Sequence, residues 1–221
     1  LRDPDIGTVF SATRHDSHAS LCARALAAGK SVFIEKPLCL TEEALAGIAA
    51  AWDRSTGVRM IGFNRRYAPA TAAVRDFFAR RDAAGSGPFS IRYTVHAGPL
   101  PAGHWLHDPA QGGRIRGEVC HFVDWCCWMA AAPLVKLFAV IRGGAPDENL
   151  HAVLDFADGS VATILYDPSA SRALPKEIVE ISSGGRTAAI EEFSSVTFHD
   201  HKGARSTRCK GKGQAEMIAA F

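Results

Sequence analysis

The sequence predicts two architectures in succession: an α/β segment on a parallel sheet, then an α+β segment with a large, mostly antiparallel open sheet. Three observations carry this. Short apolar strand runs alternate with helical runs through roughly the first eighty residues, which implies parallel strands covered by helices. After Gly85-Ser86-Gly87-Pro88 the runs switch to period-two alternation of apolar and polar residues. Hairpin turns then separate the runs, and one helix interrupts them.

Residues 7–12 (GTVFSA) form a buried-strand run, and 17–28 carry Leu21, Ala25 and Leu26 at helical spacing. Gly29 supplies a C-cap, and 31–35 (SVFIE) make a second strand closing on Pro37. Thr41, followed by Glu42 and Glu43, opens a helix that runs to about Asp53 and is ended by Gly57. A third strand covers 59–63 (RMIGF), and a helix follows over about 69–81. Beyond the linker, 89–96 (FSIRYTVH), 136–142, 151–156, 160–166 and 177–182 read as strands. Asp158-Gly159 and Gly184-Gly185 are the turns, and 118–131 is the interrupting helix. No internal repeat is present.

Composition narrows the function. The 221 residues are 47% hydrophobic and 22% charged, which excludes a disordered tail or a fibre. A net charge of +2 is far from the footprint of a dedicated nucleic-acid binder. The best candidate for a membrane span, 125–141, is broken by Pro133 and Lys136. No nucleic acid or membrane is expected as a partner. The six cysteines include no C-x-x-C pair and sit mostly in apolar runs, which favours a reducing, cytoplasmic compartment. The chain opens on Leu1 and closes within a helical pattern at Phe221, so it reads as part of a longer protein.

Two motifs are decoys. Gly29-Lys30-Ser31 resembles the end of a phosphate-binding loop, but Arg24 stands where a Gly is needed. The pairs His15/His18 and His199/His201 lack a third ligand at zinc-site spacing, so no metal is expected. The strand ends are more telling, because ligands of parallel α/β sheets bind beyond the carboxyl ends of the strands. Three successive strands end there in polar clusters: Thr13 to His18, Glu35-Lys36-Pro37, and Asn64-Arg65-Arg66-Tyr67. A Lys delivered by an apolar strand and fixed by Pro is placed for proton transfer; the competing reading is a solvated lysine at a strand exit.

These stretches carry a resemblance. Thr13 to His18, an Ala-rich helix, then Ala28-Gly29-Lys30-Ser31-Val32-Phe33-Ile34-Glu35-Lys36-Pro37 resemble the second half of the nucleotide-binding domain of the Gfo/Idh/MocA oxidoreductases. That resemblance implies a Rossmann domain followed by an α+β domain with an open antiparallel sheet, here divided as 1–66 and 67–221. It also implies bound NAD or NADP. No G-x-G-x-x-G occurs, and the simplest account is a chain that starts midway through the Rossmann domain. Such a chain is expected to hold dinucleotide poorly, since the diphosphate rests on that turn and its helix. Titration with NADH and NADPH checks this, and micromolar binding to either would refute it.

A second family signal lies at Gly112-Gly113, where relatives follow with an Asp, a His four later, and a further Asp. His121 and Asp124 match; Gly117 stands at the first Asp, with Glu118 beside it. With Gly62 to Tyr67 and Gly103-His104-Trp105, this variant is similar to a subgroup of bacterial two-module oxidoreductases. The resemblance implies Lys36 and His121 as acid/base groups. Glu118, three residues before His121 on a helix, is the acid expected to pair with it; the bland reading is a first-turn acid on the helix dipole. Thr13, Arg14, His18, Glu35, Lys36 and Arg65 would line the cofactor, and Asn64, His104, Trp105, Arg114 and Asp124 the substrate. Core packing for Trp105 and a solvated face for the arginines compete with those roles.

The expected activity is NAD(P)-dependent hydride transfer to or from a hydroxyl-bearing carbon of a sugar, cyclitol or derivative. A cofactor-bound sugar sensor and an NAD-dependent glycosidase are the alternatives. A homo-oligomer is expected, because one face of the antiparallel sheet needs a cover.

Overall fold

The computed structural model describes residues 1, 3–79, 87–144 and 148–221. The expected C-terminal turn of the 69–81 helix and Gly85-Ser86 lie outside the described residues. Strand β1 (Thr8–Ser11), helix α1 (His15–Ala27), β2 (Ser31–Ile34), α2 (Glu42–Arg54) and β3 (Arg59–Ile61) follow in order. The three strands form a parallel sheet in the order β1-β2-β3. Thr41 caps α2 as the sequence predicts, its Oγ1 accepting from the Ala44 amide at 3.1 Å. Helix α1 starts two residues earlier than its apolar spacing suggests, because His15 is drawn into the interior.

A 3₁₀ turn (Asn64–Tyr67) leads into α3 (Pro69–Ala79) and then into the second sheet. Its strands are β4 (Ser90–His96), β5 (Leu134–Arg142), β6 (Asn149–Phe156), β7 (Val161–Asp167) and β8 (Glu177–Ser183). Three more, β9 (Arg186–Glu191), β10 (Ser195–Asp200) and β11 (Gly203–Arg208), extend it by hairpins beyond the strands expected from the sequence. The order is β11-β10-β9-β8-β4-β7-β6-β5, antiparallel throughout except for β4 beside β7. The mostly antiparallel open sheet is thus as predicted.

Alternation sets which face is buried. On β4, β6 and β7 every second residue is enclosed, and Ile91, Tyr93, Leu154, Ile164 and Tyr166 pack under α4 (Cys120–Ala130) and α3. Trp125 is the largest side chain of that core, and its indole N–H donates to Thr71 Oγ1 at 2.9 Å. The other face is open, with Phe138 64% exposed at the β5 edge and Val153 and Val161 beside it.

Helix α5 (Gln214–Ala220) returns to the first sheet, where Phe221 meets Phe10 and Phe33 edge-on at 5.1 and 5.8 Å. Its entry turn depends on Gly213, at φ +91°, where an added Cβ would stand 2.2 Å from the Asn64 carbonyl oxygen and 2.5 Å from the Ala68 nitrogen. Neither is a flexible side-chain end. Gly213→Ala is therefore expected to cost about 1–3 kcal/mol in backbone strain alone and to loosen α5. Thermal melting with limited proteolysis checks this; an unchanged midpoint would show that the turn relaxes freely.

Candidate active site

The carboxyl ends of β1, β2 and β3 face the segment between β4 and α4. Lys36, at the exit of β2, crosses that gap and donates from Nζ to the Gly117 carbonyl at 2.7 Å. Gly117 belongs to a π-helical turn (Ile115–Val119) that precedes α4, and His121 sits in the first turn of α4. Lys36, from the exit of β2, and His121, from the start of α4, thus come close to one place. A cleft of about 700 Å³ opens beside them, lined by Pro37, Leu40, Phe63, Arg116 and Cys120 among others. A second, apolar hollow of about 580 Å³ shares Phe63 and Cys120 and wedges between α4 and β5–β6.

His121 is held neutral. Burial, then the charges of Lys36 and Arg65, push its pKa down to about 2. Its Nδ1 is buried with no hydrogen-bond partner among the described residues. Phe63 packs at 6.1 Å from its ring.

The expected Glu118–His121 pair is not formed. Glu118 instead accepts from the Tyr166 hydroxyl and lies 3.4 Å from Arg114 Nη2. The cause is the π-turn, whose wider winding breaks the shared face that an α-helical spacing of three provides. Arg114, expected at the substrate, is 1% exposed and donates from Nη1 to the Gly98 carbonyl at 2.8 Å, its guanidinium 5.4 Å from the Tyr166 ring centroid. It pins a loop.

Three more expectations are corrected by the 3₁₀ turn after β3, whose side chains reach β8, α4 and the loop before α5. Arg65, expected at the cofactor, forms a two-pronged pair with Glu177 at 2.9 and 2.6 Å. Asn64, expected at the substrate, donates to the Lys212 carbonyl at 2.7 Å and anchors the α5 turn. Asp124 is taken up by both prongs of Arg66; burial raises its pKa while Arg66 opposes the rise. His18, expected at the cofactor, is 1% exposed, with Nδ1 2.8 Å from the Pro37 carbonyl and Nε2 3.0 Å from the Thr13 carbonyl. It ties the exits of β1 and β2 together.

The remaining candidates stand at the gap. Thr13 is exposed, its Oγ1 2.6 Å from Ser17 Oγ. Glu35 Oε2 accepts from the Lys36 amide at 3.3 Å, in space that a side chain at Gly62 would fill. Arg14 lies 5.4 Å over the ring of Trp105, which stacks on His104 and meets His15 edge-on at 4.7 Å. His15 is the site residue that its sequence pattern does not reveal. Its Nδ1 lies 3.0 Å from the Gln111 carbonyl oxygen, and its Cε1 would be 2.6 Å from a Cβ on Gly117. The lack of a side chain at 117 is what admits this ring.

The residues present fit one end of a dinucleotide. Thr13, Glu35 and Lys36 line the strand exits where a nicotinamide and its ribose would lie. The sequence has no glycine-rich turn for the diphosphate.

Parallel strands with ligand-facing carboxyl ends, joined to an open antiparallel sheet, define a Rossmann-type oxidoreductase fold. Residues 1–63 match the family model described as "Oxidoreductase family, NAD-binding Rossmann fold". The chain belongs to the Gfo/Idh/MocA oxidoreductase family. It is 39% identical over 193 residues to the inositol 2-dehydrogenase of Rhizobium meliloti, a match covering 84% of this chain and 57% of that one. It is 41% identical over 197 residues to the levoglucosan dehydrogenase of Pseudarthrobacter phenanthrenivorans, covering 74% and 50%. The chain thus spans about half the length of these relatives. A solved levoglucosan dehydrogenase in complex with NADH and L-sorbose superposes with a TM-score of 0.84 at 20% identity, over 99% of this chain and 69% of that one, and supports the fold.

Proposed function

We propose that this chain forms the substrate side of a nicotinamide-dependent dehydrogenase acting on sugars or cyclitols. The observation that carries the reading is Lys36. Its amine leaves the carboxyl edge of a parallel sheet and bonds the Gly117 carbonyl, four residues before a neutral His121 with an unused Nδ1. The names of the relatives supply the substrate class, inositol and levoglucosan both being polyhydroxylated rings. When bound, the nicotinamide exchanges hydride with the substrate carbon. Lys36 moves the hydroxyl proton, a neutral His121 stands beside it, and Phe63 and Cys120 line the cleft next to both. Residues 1–66 serve the cofactor and 67–221 the substrate and self-association, and the six unpaired thiols support a reducing compartment.

The complete gene product, incubated with NAD or NADP and a panel of polyols that includes inositol and levoglucosan, is expected to form reduced nicotinamide. Cofactor binding without turnover on any member would favour the sensor reading. Release of free sugar from an aryl glycoside would favour the glycosidase reading.

The open sheet face leads to a further expectation. Phe138, Val153 and Val161 expose apolar surface on one side of a two-faced sheet, and pairing two copies face to face would cover it. Sedimentation is expected to show a dimer or larger assembly, shifted toward monomer by Val153→Asp. A strictly monomeric wild type would count against it.

A further inference from the structure

The groups that meet at the Gly117 peptide include one that this reading leaves idle. His15 opens α1 and is 7% exposed. A carbonyl oxygen only accepts, so the Gln111 carbonyl at 3.0 Å places the hydrogen of a neutral imidazole on Nδ1. Nε2 then keeps the lone pair. The Cε1 joining the two nitrogens occupies the side-chain space of residue 117, and the carbonyl of that same residue receives Lys36 Nζ. The Lys36 amine and an accepting imidazole nitrogen therefore flank one peptide. The edge-on contact of Trp105, at 81°, fixes the tilt of the ring.

The ring also stays uncharged. Burial lowers its pKa below 6.5, Lys36 from the end of β2 and His18 on the same helix lower it further, and the Gln111 carbonyl and Asp16 oppose them. Arg14, a further cation, lies over the Trp105 ring.

We propose that His15 is a specificity-determining acceptor of the substrate site: its Nε2 receives a hydrogen bond from a substrate hydroxyl adjacent to the one whose proton Lys36 moves. The inference rests on the dehydrogenase reading and deepens it. The favoured substrate carries vicinal hydroxyls, because a site that presents one donor and one acceptor leaves the acceptor unpaired against a deoxy ring.

The test separates binding from folding. Asn at position 15 keeps an N–H for the Gln111 carbonyl but has nothing at Nε2, whereas Ala loses both. With NAD and the best polyol of the panel, His15→Asn is expected to lower kcat/KM for the polyol about tenfold, with KM for NAD and the melting midpoint unchanged. His15→Ala is expected to lower the midpoint as well. Wild-type kcat/KM should fall on acidification below pH 6.5, as the acceptor takes a proton, and His15→Asn should lack that limb. Nitrogen-15 spectra of the imidazole at pH 7 should show the Nδ1–H tautomer. An Nε2–H tautomer or an imidazolium overturns the proposal regardless of activity. An active wild type whose polyol KM and pH profile survive His15→Asn overturns it and leaves the dehydrogenase reading standing. A wild type that turns over no polyol removes both.

Discussion

Replacing Glu177 by Gln is expected to lower folding stability by about 3–5 kcal/mol, the cost of breaking a buried ion pair by removing one partner. Glu177 begins β8 and is 1% exposed. Its two oxygens accept from Arg65 at 2.9 and 2.6 Å, from the Tyr93 hydroxyl at 2.7 Å and from Lys212 Nζ at 2.8 Å. A glutamine would turn an amide N–H toward donors that have no acceptor left, and Arg65 would remain charged in the interior. Burial alone would raise the pKa of Glu177, but Arg65 and then Lys212 outweigh it and bring the carboxyl down to about 2. The folded value lies below the unfolded one, so the stabilisation is complete above about pH 4.3 and is lost as pH falls toward 2. Urea denaturation at pH 7 and pH 3 should show the gap between wild type and Glu177→Gln narrowing on acidification. A deficit below about 1 kcal/mol at pH 7 would mean that Arg65 finds water or another acceptor.

The same network explains where sequence reading stops. Strand exits are legible because each is local: an apolar run, then Glu35-Lys36-Pro37 or Thr13-Arg14, with Thr41 capping the helix after β2. Charge partners are not. Arg65 meets Glu177 from 112 positions away, and Arg66 meets Asp124 from 58. Arg65 comes just after a strand exit and so reads as a ligand group, but the 3₁₀ turn sends it to Glu177 on β8 and sends Arg66 to Asp124 on α4. Glu118 fails for a geometric reason: a π-turn changes which neighbours share a face, and composition does not announce it. Strand β11 (GARSTR) escapes because it is exposed on both faces and shows no alternation, so hairpin pairing rather than burial forms it, whereas β9 and β10 do alternate. His15, beside His18, reads from spacing as an incomplete metal pair. The usable signal lies at residue 117, where a glycine in place of an expected side chain marks room for another group.

Replacing Lys36 by Met in the complete gene product is expected to lower turnover by ~10²–10⁴-fold, the usual loss when a positioned acid/base group is removed. Met keeps the length and apolar stem of the half-buried side chain, so the cleft beside Pro37 and Phe63 should retain its shape. The amine is lost, and with it the bond to the Gly117 carbonyl that holds β2 against the turn before α4. Cofactor affinity should change little, because its largest determinant, the diphosphate, would lie away from the β2 exit if the nicotinamide end is placed there as proposed. An independent readout comes from the histidines. Burial is the first cause of the low His121 pKa, but Lys36 is the second, so its removal should raise the His121 titration midpoint from about 2. His15 should move in the same direction, since Lys36 also lowers its pKa. Steady-state kinetics and histidine titration on one variant therefore distinguish two roles. Lost turnover with both histidines shifted upward identifies Lys36 as the charge that poises the site. Near-native turnover would reduce it to a solvated lysine at a strand exit, whatever the histidines do.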